Sequence, residues 1–149
     1  MATVPQKLTQ TLDVLGLVSD RNERIQLLLD IAERFREVPE RLAHRPFGAD
    51  HQVPACESEA YVFSEPRPDG SLDFHFAVEN PQGISAKAMA VILGEALSGA
   101  PAEQIAEVPQ DVVYSVFGRE LSMGKSMGLM GMVALVKGLA KSHFAAKST

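Results

Sequence analysis

The chain predicts an α+β domain in which a small antiparallel β-sheet is packed against several α-helices. Three features point to it: apolar residues recur at helical spacing in the first 35 residues and again from residue 84 onward, two short runs between them alternate at strand spacing, and Asp69-Gly70 separates those runs with a hairpin turn signal. No internal repeat is present and no linker is long enough to divide the chain, so residues 1–149 read as one domain. A domain of this length buries roughly two-thirds of its unfolded surface without disulfide or metal staples.

A first helix is expected over residues 5–16, with Pro5 suited to the first helical position, Leu8, Leu12 and Leu15 on one face, and Gly16 as its stop. Ser19 or Asp20 then caps a second helix, and Asp20 with Glu23 three residues on approximates a capping box. Its core-facing stripe is Ile25, Leu28, Leu29, Ala32 and Phe35, and Pro39 ends it. Residues 39–52 have no sustained period; Pro46, Phe47, Gly48 and Asp50 read as connecting loop, and a third strand within 44–53 stays open. In the strand run 59–64, Glu59, Tyr61 and Phe63 alternate with Ala60 and Val62; Leu72, Phe74, Phe76 and Val78 alternate with Asp73, His75 and Ala77 in its partner.

After the hairpin, Asn80-Pro81 reads as the cap and first position of a helix carrying Ile84, Ala88, Ile92 and Ala96 beside Met89, Leu93 and Leu97, and Ser98-Gly99 stops it. Pro101 and Pro109 each open a short helix. The last helix spans about Ser122 to Ser142, with Leu129, Met132, Val133, Val136 and Ala140 facing inward and Lys137, Lys141 and Lys147 at or beyond its negative end.

Composition narrows the function. With 46% hydrophobic and 22% charged residues the chain is ordinary globular material, and no apolar run approaches the ~18 residues that span a bilayer. The N-terminus is too polar for a signal peptide, so the reducing cytoplasm is the expected location. A net charge of −5 without a Lys/Arg stripe argues against nucleic acid as a partner. A single cysteine, Cys56, makes no intramolecular disulfide.

Cys56 stands where the loop runs into the first strand. Pro54 fixes its own φ and pushes Val53 to extended geometry, so a stiff turn precedes the thiol. Such a thiol is either offered to another molecule or buried as a small hydrophobe. Other constellations are weaker. Gly118 to Ser126 ends like a phosphate-binding P-loop, but five residues instead of four separate Gly118 from Gly124, a helix precedes it where a strand is needed, and Glu120 would repel a triphosphate. His44, His51, His75 and His143 are scattered, without the paired spacing of a metal site. Met123, Met127, Met130 and Met132 fall among Gly124, Gly128 and Gly131; small residues there let another element come close, or the stretch serves as a soft docking surface. Lys125 opposes the helix dipole at that end and suits a visiting anion.

These residues resemble the SufE-type sulfur acceptors over roughly residues 20–140. The resemblance rests on Val53-x-x-Cys56-x-Ser58 with Tyr61-Val62 on the strand, then Lys87, then Leu97-Ser98-Gly99-x-Pro101-x-Glu103-Gln104-Ile105. It closes on Leu121-Ser122-Met123-Gly124-Lys125-Ser126-Met127-Gly128-Leu129, similar to the family's L-[ST]-P-S-R-x-x-G-L. It implies a carrier of sulfur for iron–sulfur cluster assembly: Cys56 would take persulfide sulfur from a cysteine desulfurase, a pyridoxal-phosphate enzyme, stimulate that enzyme, and pass the sulfur to a scaffold or other acceptor. Pro54 and Ser58 would support the loop and its thiolate, while Lys125 and Gly128 would lie on the partner-binding surface. No resident cofactor or metal is implied.

Three departures from the pattern stand out. Ala55 replaces the usual glycine before the cysteine, Met123-Gly124-Lys125 replaces Pro-Ser-Arg, and Asn80-Pro81-Gln82-Gly83 replaces an acidic stretch. The alternatives are a non-catalytic interaction domain using the 121–132 surface with Cys56 incidental, and an independent thiol enzyme.

Overall fold

The computed structural model describes residues 3–148, and the side chains of residues 3–146. The side chain of Lys147 therefore lies outside the described residues. The elements follow in the order α1 (Gln6–Gly16), α2 (Arg21–Glu33), β1 (Ala60–Pro66), β2 (Leu72–Val78), α3 (Ile84–Leu97), α4 (Ala102–Ile105), α5 (Val112–Phe117) and α6 (Met123–Ser148), with one 3-10 turn at Ala49–His51. This is the expected α+β arrangement. Among the described residues no helix is long and apolar enough to cross a membrane.

The central element is α3. It is apolar on nearly every side, and a helix of that kind has to be enclosed. Ala86, Ala88, Met89, Ala90, Val91, Ile92, Leu93, Ala96 and Leu97 are all buried, with α1 and α2 packed along it and β2 across it. Each fully buried large side chain, such as Met89 or Leu93, contributes about 1.5–3 kcal/mol. Asn80-Pro81 does not cap this helix. The Asn80 side chain accepts from the Gln82 N–H (2.9 Å) and its carbonyl from the Gly83 N–H, so a local turn satisfies these groups and the helix starts only at Ile84.

β1 and β2 pair antiparallel from Ala60 opposite Val78 to Pro66 opposite Leu72, with the turn residues 67–71 closed by Asp69 accepting from the Ser71 N–H and hydroxyl. The inner face, Ala60, Val62, Leu72, Phe74, Phe76 and Val78, belongs to the main core. Its outer face is covered too: Phe63 and Ala77 pack with Val38, Leu42, Phe47 and Tyr61 in a second cluster. On this side the Arg41 guanidinium holds the Glu65 carboxyl below the usual carboxylate range by hydrogen bonding to it.

A third strand does not form. Among the described residues the segment's backbone pairs with the hairpin only at single bridges, Glu37 with Phe76 and Gln52 with Tyr61. The first of these also ends α2 early. Val38 N–H donates to the Phe76 carbonyl at 2.8 Å, so the chain leaves the helix at Glu33, well before Pro39, to satisfy the sheet edge. Phe35 accordingly lies beyond the helix, and the core-facing stripe of α2 differs from the expected one: Ile31 and Ala32 are buried and Leu27 and Leu28 half-buried, whereas Ile25 and Leu29 stay 46% and 39% exposed. α6, by contrast, buries Leu129, Met132, Val133, Val136 and Ala140 as expected and continues past Ser142 to Ser148.

Asp20 caps α2 by accepting from the Glu23 N–H at 2.9 Å. Arg24, in the following turn, locks three helices together. Its guanidinium donates to the carbonyls of Leu15 (2.6 Å), Val18, Ser115 and Val116, joining the ends of α1 and α5 to the start of α2. The Leu15, Ser115 and Val116 carbonyls lie in the last turns of their helices, where intrahelical donors run out, and Val18 lies in the connection just beyond. Replacing Arg24 with Ala removes several charge-assisted bonds at once, and the expected loss is about 2 kcal/mol of unfolding free energy, read from the shift in urea midpoint.

Candidate active site

Cys56 lies in a loop, residues 53–59, that is tied at both ends. Val53 N–H donates to the Ala60 carbonyl (2.8 Å), Glu59 N–H closes a turn onto the Cys56 carbonyl (3.1 Å), and Asn80 N–H donates to the Ser58 carbonyl (3.1 Å). Two residues of the loop take left-handed backbone, Ala55 at φ +58° and Glu59 at φ +52°. For residues with a Cβ this conformation costs about 1–2 kcal/mol each, so the tethers hold the chain in a shape it would not choose alone.

The loop rests on bare backbone. Gly124, Gly128 and Gly131 recur at i, i+4 and i+7 and line one face of α6. A Cβ on Gly128 would stand 3.1 Å from the Cys56 Cα, and one on Gly131 would stand 3.1 Å from the Pro54 carbonyl oxygen and from the Val53 side chain. From the other side Gly83 closes on Ser58, where a Cβ would meet the serine Cβ and Oγ at 2.9 Å. The loop is gripped between positions at which any side chain would intrude.

A cleft of about 340 Å³ opens at this point, lined among others by Cys56, Ser58, Asn80, Gly83, Lys125 and Gly128. Cys56 is half-buried on its wall. Glu57 and Lys125 bring opposite charges to the same rim. The first turn of α6 faces the cleft through Gly124 and Lys125, with Ser122 Oγ accepting from the Lys125 N–H (3.3 Å), so the positive end of the helix dipole adjoins the thiol. Such an end favours an anion, including a thiolate. Met123 and Met127 project outward from this turn, 79% and 53% exposed.

No histidine lines the cleft. His51, the nearest in sequence, sits on the outer face of the hairpin with Nδ1 3.1 Å from the Val62 carbonyl and its ring against Phe63. A cysteine–histidine pair of the kind that activates a hydrolase is therefore not assembled here. Nor does the 118–126 stretch form a phosphate loop, because the helix α5 and not a strand leads into Gly118.

The structure thus brings Cys56, Ser58, Lys125 and Gly128 to one cleft, with Gly128 beneath the loop and not on open surface. Pro54 lies outside the lining, exposed, its carbonyl over Gly131. Ser58 holds the loop through its carbonyl and through its packing on Gly83. Sequence reasoning missed Gly83, whose tight fit leaves no mark in a one-dimensional pattern, and the individual role of Gly131, although the glycine spacing on α6 announces a close approach.

The sequence model of the SufE family, described as an Fe-S metabolism associated domain, matches residues 9–140. A solution structure of a hypothetical protein from Thermus thermophilus is similar in fold, with a TM-score of 0.72 covering 96% of this chain and 99% of that one at 23% sequence identity. No curated protein matches the chain.

Two substitutions test the grip on the loop. Ala55→Gly relieves the left-handed strain and is expected to raise stability by roughly 0.5–1 kcal/mol in urea unfolding, the relief being partly offset by glycine's larger entropy in the unfolded chain. Gly128→Val forces the loop off α6; a loss of about 1–3 kcal/mol and an altered rate of Cys56 alkylation are expected, whereas Gly124→Ala, which meets only Glu57 Oε1 at 3.5 Å, should leave the alkylation rate unchanged and cost no stability.

Proposed function

The chain belongs to the SufE family of iron–sulfur metabolism, and from that premise we propose that it is a sulfur carrier whose reactive atom is Cys56 Sγ. The observation that carries the reading is the placement of the one thiol: half-buried on the wall of an open cleft, on a loop braced by α6, beside a helix N-terminus and Lys125. A buried structural cysteine would have no access to a partner, and a cysteine hydrolase of the cysteine–histidine kind would need a histidine that does not line this cleft.

The donor is a cysteine desulfurase carrying a persulfide. The Cys56 thiolate attacks the terminal sulfur; a new S–S bond forms on Cys56, the donor's S–S bond breaks, and the electron pair leaves with the donor cysteine as a thiolate. Atoms and electrons balance without an added oxidant or reductant. Removing the persulfide in this way frees the desulfurase for another cycle, which is the sense in which the carrier stimulates it. Lys125 and the α6 N-terminus offset the negative charge of the Cys56 thiolate and of the persulfide it becomes. With no second cysteine in the chain, no intramolecular thiol can resolve the persulfide, and the sulfur passes on to a scaffold or other acceptor. A reducing compartment such as the cytoplasm suits this chemistry.

Intact-mass analysis after incubation with a cysteine desulfurase and cysteine tests the proposal. Wild type should gain the mass of one sulfur and lose it on reduction, while Cys56→Ser gains nothing. A wild type that stays unmodified with several desulfurases would set the carrier role aside in favour of a binding domain.

A further inference from the structure

We infer that the groove beside the Cys56 cleft seats an acidic, apolar-anchored segment of the protein that delivers sulfur to Cys56; the inference rests on the carrier reading above. The groove, about 700 Å³, lies between α2, the start of α3 and the connection from α5 to α6. It shares Ile84, Ser85 and Lys125 with the cleft, so the two adjoin. A partner bound in the groove would have its adjoining surface over the thiol.

Charge identifies the occupant. Arg21, Arg24, Arg119 and Lys125 line the groove against the single carboxylate of Glu120, in a chain whose net charge is −5. The four are not equivalent. Arg24 is committed to backbone carbonyls, and Arg21 pairs with Glu120 at 3.3 Å, both side chains 79% exposed, in a surface contact that an incoming carboxylate can replace at little cost. Arg119 lies 5.8 Å from the Tyr114 ring, and among the described residues neither it nor Lys125 has a carboxylate partner. Two exposed cations thus stand without a carboxylate partner at the rim of the groove, in an otherwise acidic molecule.

The apolar part of the groove explains why the occupant is a polypeptide segment. Ile25 and Leu29 are the α2 residues that the core leaves uncovered, and Ile84 beside them is also exposed. A small anion would remain hydrated above these side chains. A segment carrying both carboxylates and apolar anchors covers all three at once and pairs the cations at the rim, the usual division of an interface into apolar centre and charged edge.

The test measures persulfide loading of Cys56 by intact mass while a purified cysteine desulfurase is titrated at fixed cysteine, for wild type, Arg119→Glu and Ile25→Asp. Both replaced side chains are solvent-exposed, and loading by inorganic polysulfide reports independently that Cys56 is intact and accessible. The expected result is a half-saturating desulfurase concentration raised about tenfold in each variant, with the saturated rate and the polysulfide rate unchanged. Added salt should weaken loading of wild type more than of Arg119→Glu. Identical half-saturation in all three proteins overturns the groove while leaving the carrier role standing; a wild type loaded by polysulfide but by no desulfurase removes both.

Discussion

The arrangement around Cys56 depends on how closely two backbones can approach, that of the 53–59 loop and that of α6. Gly128 and Gly131 leave the helix surface bare, and the loop lies in the vacated space with its Cα and carbonyl atoms almost at contact distance from where side chains would begin. Loops commonly run over the surface with few fixed contacts. Here the loop gains the packing of a structural element while leaving its thiol side chain half in solvent. The left-handed backbone at Ala55 and Glu59 persists for the same reason: tethers to β1 and to the chain after β2 determine its course more strongly than local preference does.

The larger framework gives that contact its rigidity. α3 is enclosed, the hairpin is packed on both faces, and α6 is seated on β1, α4 and α5. The loop therefore joins parts that cannot move independently, and the direction of the Cys56 side chain is set by the core. The surface that faces a partner is made differently. Ile25, Leu29, Met123 and Met127 remain outside because α2 turns Ile31, Ala32, Leu27 and Leu28 to the core and α6 begins with residues that have nothing to pack against.

Much of this was legible from the amino-acid order, and the failures have identifiable causes. The hairpin followed from strict alternation about Asp69-Gly70, and α6 from its apolar stripe, because both patterns are local and unopposed. The 124, 128, 131 glycine spacing correctly implied a close neighbour. Two readings failed, each for a reason outside the local pattern. Asn80-Pro81 resembled a cap, but the asparagine side chain closes a turn of its own; Ile25 and Leu29 matched a core stripe, but α2 turns Ile31, Ala32, Leu27 and Leu28 to the core instead. The strand left open within 44–53 resolves to a single bridge, Gln52 with Tyr61, beside side-chain packing on the hairpin. Within the cleft, Cys56, Ser58, Lys125 and Gly128 were accessible as motif positions. Gly83 was not, since its importance exists only once Ser58 is folded against it.

The glycine seat also bears on heredity. Residues 83, 128 and 131 do no chemistry, yet each is constrained by the absence of an atom, since a Cβ there would stand 2.9–3.1 Å from the loop or its neighbours. Surface residues around the thiol can change one at a time as partners change. A side chain at any of the three requires the loop or its neighbours to shift, so substitution is freer at the lips of the cleft than beneath the loop.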